Sequence, residues 1–233
     1  MDYAQRHVVV TGGTGALGGA VVGALIERGA HCHVPYIHAA EAAHFPCRGR
    51  PGVDLVEVTD LADDAAVAGL YERVPELWAS IHLAGGFAMA QIGATTAADL
   101  RRQIDMNLTT TFLCCRAAVA AMSRAGQGGR IVNVAARPAL EWRMGAGMTA
   151  YTASKAAVAA LTAALAEEVA GRDILVNAVA PSIMDTPLNR KAMPKADFSA
   201  WPKVEEVAAT IVFLASPGNK VTRGAVVPVY GKS

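Results

Sequence analysis

Seven short, nearly unbroken apolar runs, most of them separated by longer Ala-, Leu- and Val-rich stretches, constrain this chain more than any other feature. The runs are His7–Thr11, His31–Pro35, Val53–Val58, Ser80–Ala84, Arg130–Val134, Ile174–Ala178 and Ala225–Val229. A strand with one wet face alternates apolar and polar residues. Runs without alternation are covered on both faces, as parallel strands are. The longer stretches Ala16–Arg28, Leu61–Arg73, Ala97–Ser123, Thr152–Ala170 and Val204–Ala215 carry helical spacing. Parallel neighbours need a crossover between them, and a helix supplies it. The alternation therefore predicts an α/β fold: one doubly wound parallel sheet of about seven strands with helices on both faces. No internal repeat and no Pro/Gly/Ser linker divides residues 1–233, so a single domain is expected. Asp185–Pro202, with Pro187, Pro194 and Pro202, is too long for an ordinary connection. It reads as a substrate-binding lid over residues 185–202.

Composition excludes several classes. With 53% hydrophobic and 18% charged residues the chain is no disordered segment. The 21 basic residues against 20 acidic ones leave a net charge of +1, with no footprint for nucleic acid or an anionic membrane. No charge-free apolar run is long enough to span a bilayer, and Met1–His7 lacks the apolar core of a signal peptide. The four cysteines form no Cys-x-x-Cys pair, so reduced thiols in the cytoplasm are expected. His38, His44 and Cys47 fit no ligand spacing, and no metal is expected.

Chemistry enters with Thr11-Gly12-Gly13-Thr14-Gly15-Ala16-Leu17-Gly18, between the first strand and the first helix. A tight turn needs positive φ, and a pyrophosphate approaches the backbone only where no Cβ intrudes. The helix start then offers free N–H groups and partial positive charge. In this context the motif predicts a dinucleotide site, with Gly18 packing the helix closely on the strand. The end of the second strand reads Pro35-Tyr36-Ile37-His38, and no carboxylate appears before Glu41. Both NAD and NADP remain open, and the missing carboxylate favours NADP. Asp60-Leu61 is placed to face an adenine ring, and Asp60 is alternatively a helix cap.

Tyr151 and Lys155 stand four residues apart on one face at a helix start. A phenol titrates near 10 and is an acid at neutral pH. A neighbouring ammonium stabilises the phenolate, and a shift of two units takes about 2.7 kcal/mol. Such a tyrosine serves as general acid/base for a carbonyl/alcohol pair.

With these motifs together, the chain from Arg6 to Tyr230 resembles the short-chain dehydrogenase/reductase family, close to its classical branch. The resemblance implies a Rossmann-type sheet and an NAD(P)-dependent oxidoreductase. It implies that Gly12, Thr14, Gly15, Ala16, Leu17, Tyr36, Asp60 and Leu61 hold the adenine half of NADP or NAD. Ala84-Gly85-Gly86 looks like the tail of the family's Asn-Asn-Ala-Gly motif. Val179 through Thr186 looks like the segment that holds the nicotinamide amide, with Pro181, Ile183 and Thr186 as contacts. Tyr151 and Lys155 match the catalytic pair. Asn107 matches the asparagine that holds a water linking the lysine to solvent. The two Ala-rich helical stretches correspond to the family's dimer contact, so a homo-oligomer, dimer or tetramer, is implied.

Several positions depart from the family pattern. Ala16 stands where a glycine is usual, His82-Leu83 replaces two asparagines, and Ser182 replaces a glycine. Above all, Ala136 occupies the place of the catalytic serine. Ala-for-Ser here is similar to dihydropteridine reductase, which implies reduction of a quinonoid ring as an alternative. A dinucleotide-binding sensor without turnover is the other alternative. The substrate pocket is expected along Arg137–Met148, with Ala136, Trp142, Met148 and Tyr151 facing a small-molecule substrate.

Overall fold

The structure is a computed structural model and describes residues 2–233. Its strands are β1 (His7–Thr11), β2 (His31–Tyr36), β3 (Val53–Glu57), β4 (Leu77–His82), β5 (Gly129–Val134), β6 (Ile174–Pro181) and β7 (Val226–Val229). They form one sheet in the order β3-β2-β1-β4-β5-β6-β7, parallel throughout. The α-helices are α1 (Ala16–Ile26), α2 (Ala39–His44), α3 (Asp64–Glu72), α4 (Ala97–Ile104), α5 (Thr110–Ala125), α6 (Arg137–Leu140), α7 (Thr149–Glu168), α8 (Pro187–Ala192) and α9 (Val204–Leu214). The doubly wound architecture is the one the apolar runs predict. The order reverses at β1/β4, so the crevice for a ligand opens beyond the C-terminal ends of these strands.

The sheet separates two apolar layers. On one face α1 and α9 cover Val8, Val10, Ile81 and Val132; on the other α3, α5 and α7 cover Val9, Leu77, Ile131 and Val176. Tyr3 is fully buried, and its hydroxyl donates to the Val212 carbonyl of α9, which fastens the N-terminal segment.

Several boundaries differ from the sequence reading, and three of the differences have a clear local reason. β4 runs Leu77–His82 rather than Ser80–Ala84, because all six residues are buried and the chain leaves the sheet before Gly85. α3 starts at Asp64, not Leu61. Asp60 accepts from the Ala62 N–H and makes a turn, while Asp63 accepts from the Ala66 N–H as the actual N-cap. The stretch Ala97–Ser123 is interrupted by a π-helical turn at Asp105–Thr109. Just beyond it the Thr110 and Thr111 hydroxyls donate back to the carbonyls of Met106 and Asn107 within the turn. Such turns concentrate at functional sites, and this one carries Asn107.

The His82 departure has a structural account. A chain of buried side chains crosses the sheet: Tyr71 hydroxyl to Ser80 Oγ at 2.7 Å, Ser80 Oγ to His82 Nε2 at 2.8 Å, and His82 Nδ1 to Asn133 Oδ1 at 2.8 Å. Asn133 Nδ2 then donates to Thr162 Oγ1 at 2.9 Å. Burial pushes the His82 pKa down to about 4, so the ring stays neutral, with one donor and one acceptor nitrogen. The network ties α3, β4, β5 and α7 together.

Gly18 packs the first turn of α1 against the preceding loop. A Cβ there would lie 2.2 Å from the Gly12 carbonyl oxygen and 2.5 Å from Gly13 Cα. Backbone cannot yield as a side chain does, and overpacking of this kind costs about 1–3 kcal/mol or more. Gly18→Ala is therefore expected to lower the urea midpoint clearly, whereas Gly15→Ala, whose Cβ would meet only the Gly12 carbonyl oxygen at 3.4 Å, should leave it unchanged.

Candidate active site

The turn after β1 is built for close approach. Gly12 has φ +65°, and a Cβ on it would fall 2.6 Å from the Ala84 nitrogen. Gly13 lies against Val34, where a Cβ would sit 2.7 Å from a methyl. Gly15 is different: at the N-cap of α1 it meets no crowding, caps nothing with a side chain, and precedes a first turn without acidic residues. The Ala16 and Leu17 N–H groups at this start thus remain available to an anion. A glycine that the fold itself does not require, at a helix N-terminus with uncapped donors, fits a bound pyrophosphate.

Around this turn, Tyr36 closes β2 and is half-buried. The Glu41 carboxylate of α2 lies 3.4 Å from the Thr14 hydroxyl. Glu41 is thus beside the phosphate turn although distant in sequence. Leu61 is buried while Asp60 is exposed, its carboxylate engaged by the Ala62 N–H.

Beyond β4 the backbone passes through Ala84-Gly85-Gly86, and Asn107 holds it there. Its Oδ1 accepts from the Gly86 N–H at 3.0 Å, and its Nδ2 donates to the Gly86 carbonyl at 3.0 Å and to Ser154 Oγ at 3.0 Å. A Cβ on Gly85 would stand 2.6 Å from Asn107 Oδ1 and 3.4 Å from Lys155 Nζ. Only glycine lets these groups meet. Asn107 is fully buried, and in this geometry its side chain acts as a brace between the β4 loop and α7.

Lys155 is 7% exposed, and its Nζ donates to the Val134 carbonyl, at the end of β5, at 2.8 Å. Burial lowers its pKa to about 8. Tyr151, one turn earlier on α7, is half-buried, and burial pushes its phenol up to about 12. That direction is the reverse of the lowering expected from a neighbouring lysine. The Phe87 ring packs edge-on to Tyr151, with centroids 4.9 Å apart, although Phe87 is itself 61% exposed. Phe87 was not legible in sequence, because nothing marks a loop phenylalanine as a tyrosine's neighbour.

Ala136 ends the extended segment after β5 and is 5% exposed, with only a methyl to present. Met148 joins the loop after β4 through a bridge to Ala90, and Met89 and Gln91 of that loop lie beside Gly147. Trp142 is 73% exposed, its ring N–H donating to the Ala139 carbonyl. Pro181 is buried at the end of β6, Ile183 is exposed beyond it, and Thr186 caps α8 through its hydroxyl. The segment 185–202 contains α8 and folds onto the start of α9, where Arg190 pairs with Asp185 and Phe198 packs on Trp201. A cleft of about 750 Å³ opens there between Asp185, Phe198, Lys203 and Lys232, and none of Tyr151, Lys155 or Asn107 lines it. The four cysteines are buried and free, and among the described residues no helix is long and apolar enough to cross a membrane.

Residues 6–197 match the model of the short chain dehydrogenase family. The chain is 35% identical to cis-4-hydroxycyclohexanecarboxylate dehydrogenase of Sinomonas cyclohexanicum, covering 98% of this chain and 96% of that one. It is 32% identical to the BbsD subunit of (2S)-[(R)-hydroxy(phenyl)methyl]succinyl-CoA dehydrogenase of Thauera aromatica, covering 99% and 97%. Among solved structures it is similar to a blue fluorescent protein from a metagenomic library in complex with NADPH, with a TM-score of 0.86 and 28% identity, covering 100% and 99%. The glycine turn at the switch point, the braced β4 loop, the buried lysine one turn from a tyrosine and these likenesses agree: the chain belongs to the short-chain dehydrogenase/reductase family of NAD(P)-dependent oxidoreductases.

Proposed function

We propose that the chain interconverts a carbonyl and an alcohol on a medium-sized, largely apolar and anionic substrate, with Tyr151 as the proton-transferring group. The observation that carries this reading is the pairing on α7: a phenol one turn from an ammonium that β5 holds in place. The nicotinamide dinucleotide, when bound, supplies or accepts the hydride. Gly12, Thr14, Gly15, Ala16 and Leu17 would hold its phosphates, Tyr36, Asp60 and Leu61 its adenosine, and Ala84, Gly85, Gly86, Pro181, Ile183 and Thr186 its nicotinamide half. Tyr151, protonated at neutral pH, donates to the oxygen that gains negative charge. Lys155 stabilises the phenolate that results. Asn107 keeps Gly86 and Ser154 in register, so that the loop and α7 do not drift apart. Exposed Phe87, Met89 and Trp142 offer apolar surface, and Arg143 a cation. The aromatic and alicyclic acids in the two relatives' names support that substrate class.

Ala136 favours a second reading. Removing one oxyanion donor costs about 10²–10³ in rate, and a quinonoid ring avoids that loss because its reduction needs no polarised ketone. Steady-state kinetics with one ketone and one quinonoid pterin separate the two. Tyr151→Phe is expected to lower kcat at least about 10²-fold while cofactor affinity stays within about twofold. Ala136→Ser raises ketone turnover if a ketone is the natural substrate and gains nothing on the pterin. Turnover indifferent to Tyr151→Phe would refute the proton-transfer role. The pH profile of reduction should be flat below about 8 and fall above it, since Lys155 loses its charge there while Tyr151 keeps its proton. Lys155→Met removes that break.

For the cofactor, we read NADPH as binding at least as well as NADH, because no carboxylate closes β2. Glu41 beside Thr14 sets a carboxylate next to the turn that would hold the phosphates of either cofactor. Fluorescence titration of Glu41→Gln is expected to tighten NADPH and NADH alike by up to about fivefold. No change with either cofactor would count against this placement.

We also read the chain as a homo-oligomer. Ala153, Ala160, Ala163 and Ala164 of α7 are exposed, as are Leu100 of α4 and Phe112 of α5. Small and apolar exposed groups on long helices suit close helix-on-helix docking. Light scattering at micromolar concentration should give a dimeric or tetrameric mass, and Phe112→Asp should shift it toward monomer.

A further inference from the structure

At the opposite end of the sheet from the glycine turn, four polar side chains meet on one face. His7 opens β1, His31 and His33 lie in β2, and Asp54 lies in β3. The register pairs His7 with His31 and His33 with Asp54, and residues two apart on a strand share a face. The sheet thus gathers what the sequence scatters, which is why no ligand spacing was visible along the chain.

The contacts are close. His31 Nε2 is 2.8 Å from Asp54 Oδ2, and His33 Nδ1 is 3.5 Å from the same oxygen. All three donor atoms lie within 4.8 Å of one another. Tetrahedral zinc with bonds of about 2.0–2.1 Å places its ligand atoms about 3.3 Å apart, so a small adjustment admits an ion. His33 Nε2 is 2.9 Å from His7 Nδ1. His7 can accept the Nε2 proton of His33 and leave the Nδ1 lone pair of His33 facing inward, as partners behind metal-bound histidines do. His33 is nearly buried, whereas His31 and Asp54 are 39% and 54% exposed by side chain, so a water has access to complete four-coordination.

We propose that His31, His33 and Asp54 form a binding site for a zinc-class divalent cation, with His7 positioning His33. Two imidazoles and a carboxylate suit borderline ions over magnesium or calcium. The ion would clamp the edge strand β3 to β2. Lying at the N-terminal ends of the strands, roughly 13 Å of strand away from the glycine turn, it would act on stability and not on turnover.

The test uses the full chain, stripped with EDTA, and Zn²⁺ and Co²⁺ alone as probes. Calorimetry is expected to show one Zn²⁺ per chain at micromolar affinity or tighter, with a rise in Tm and unchanged kcat. Co²⁺ should give visible d–d absorption without a thiolate charge-transfer band. His31→Gln and Asp54→Asn are surface changes, and each should weaken binding at least about tenfold with circular dichroism unaltered. His44→Gln, an exposed histidine elsewhere, should leave binding intact. Absence of stoichiometric binding, or binding that neither His31→Gln nor Asp54→Asn weakens, would overturn the proposal and leave the four groups as a hydrogen-bonded chain only.

Discussion

A buried ammonium is the demand around which this site is organised. Lys155 is almost wholly removed from water, and an ammonium left without partners there would be far more costly than a buried neutral amide. The Val134 carbonyl answers part of the need, and it is available because β5 ends at that residue, where the ladder no longer uses the group. The rest of the cradle follows. Gly85 must lack a side chain for Asn107 and Lys155 to share the space. Asn107 must be turned toward Gly86, and the π-helical turn between α4 and α5 presents it there. Burial also leaves the lysine with a pKa of about 8, so that its charge is held near its limit at neutral pH. A group poised in this way responds strongly to any new charge placed beside it.

Specificity of the fold rests partly on polar groups inside the sheet. The chain from Tyr71 to Thr162 is satisfied at each link, and a satisfied buried network fixes register more sharply than apolar packing alone. His82 takes the place of an asparagine in the family's pattern by using both ring nitrogens, one toward Ser80 and one toward Asn133. Cys115 lies against the same ring, with Sγ 3.6 Å from Nδ1. In this chain the network so built spans α3 to α7.

Most of the fold was legible because its determinants are local or periodic. Continuous apolar runs mark strands buried on both faces, and the order of runs and helices leaves few topologies. The glycine turn and the tyrosine-lysine pair were legible because spacing along one element sets them. What escaped depended on contacts between elements. The break at Asp105–Thr109 is invisible to helical periodicity, which Ala97–Ser123 satisfies throughout. Asp63 and Asp60 are equally good caps by composition, and only the turn at Ala62 decides between them. Glu41 beside Thr14, Phe87 against Tyr151 and the histidines of β1 and β2 are all products of the sheet order.

Tyr151 and Ala136 bear on the same question from two sides. In the protein as folded, burial favours the neutral phenol of Tyr151, and on the proposed reading that phenol would be the proton donor. Donation alone stabilises an alkoxide through one hydrogen bond, where a serine beside it would add a second worth about 2.7–4 kcal/mol. Ala136 has only a methyl to offer in that place. A substrate that develops full negative charge on a carbonyl oxygen is then poorly served unless it brings its own polarisation. One whose reduction is driven by conjugation loses little.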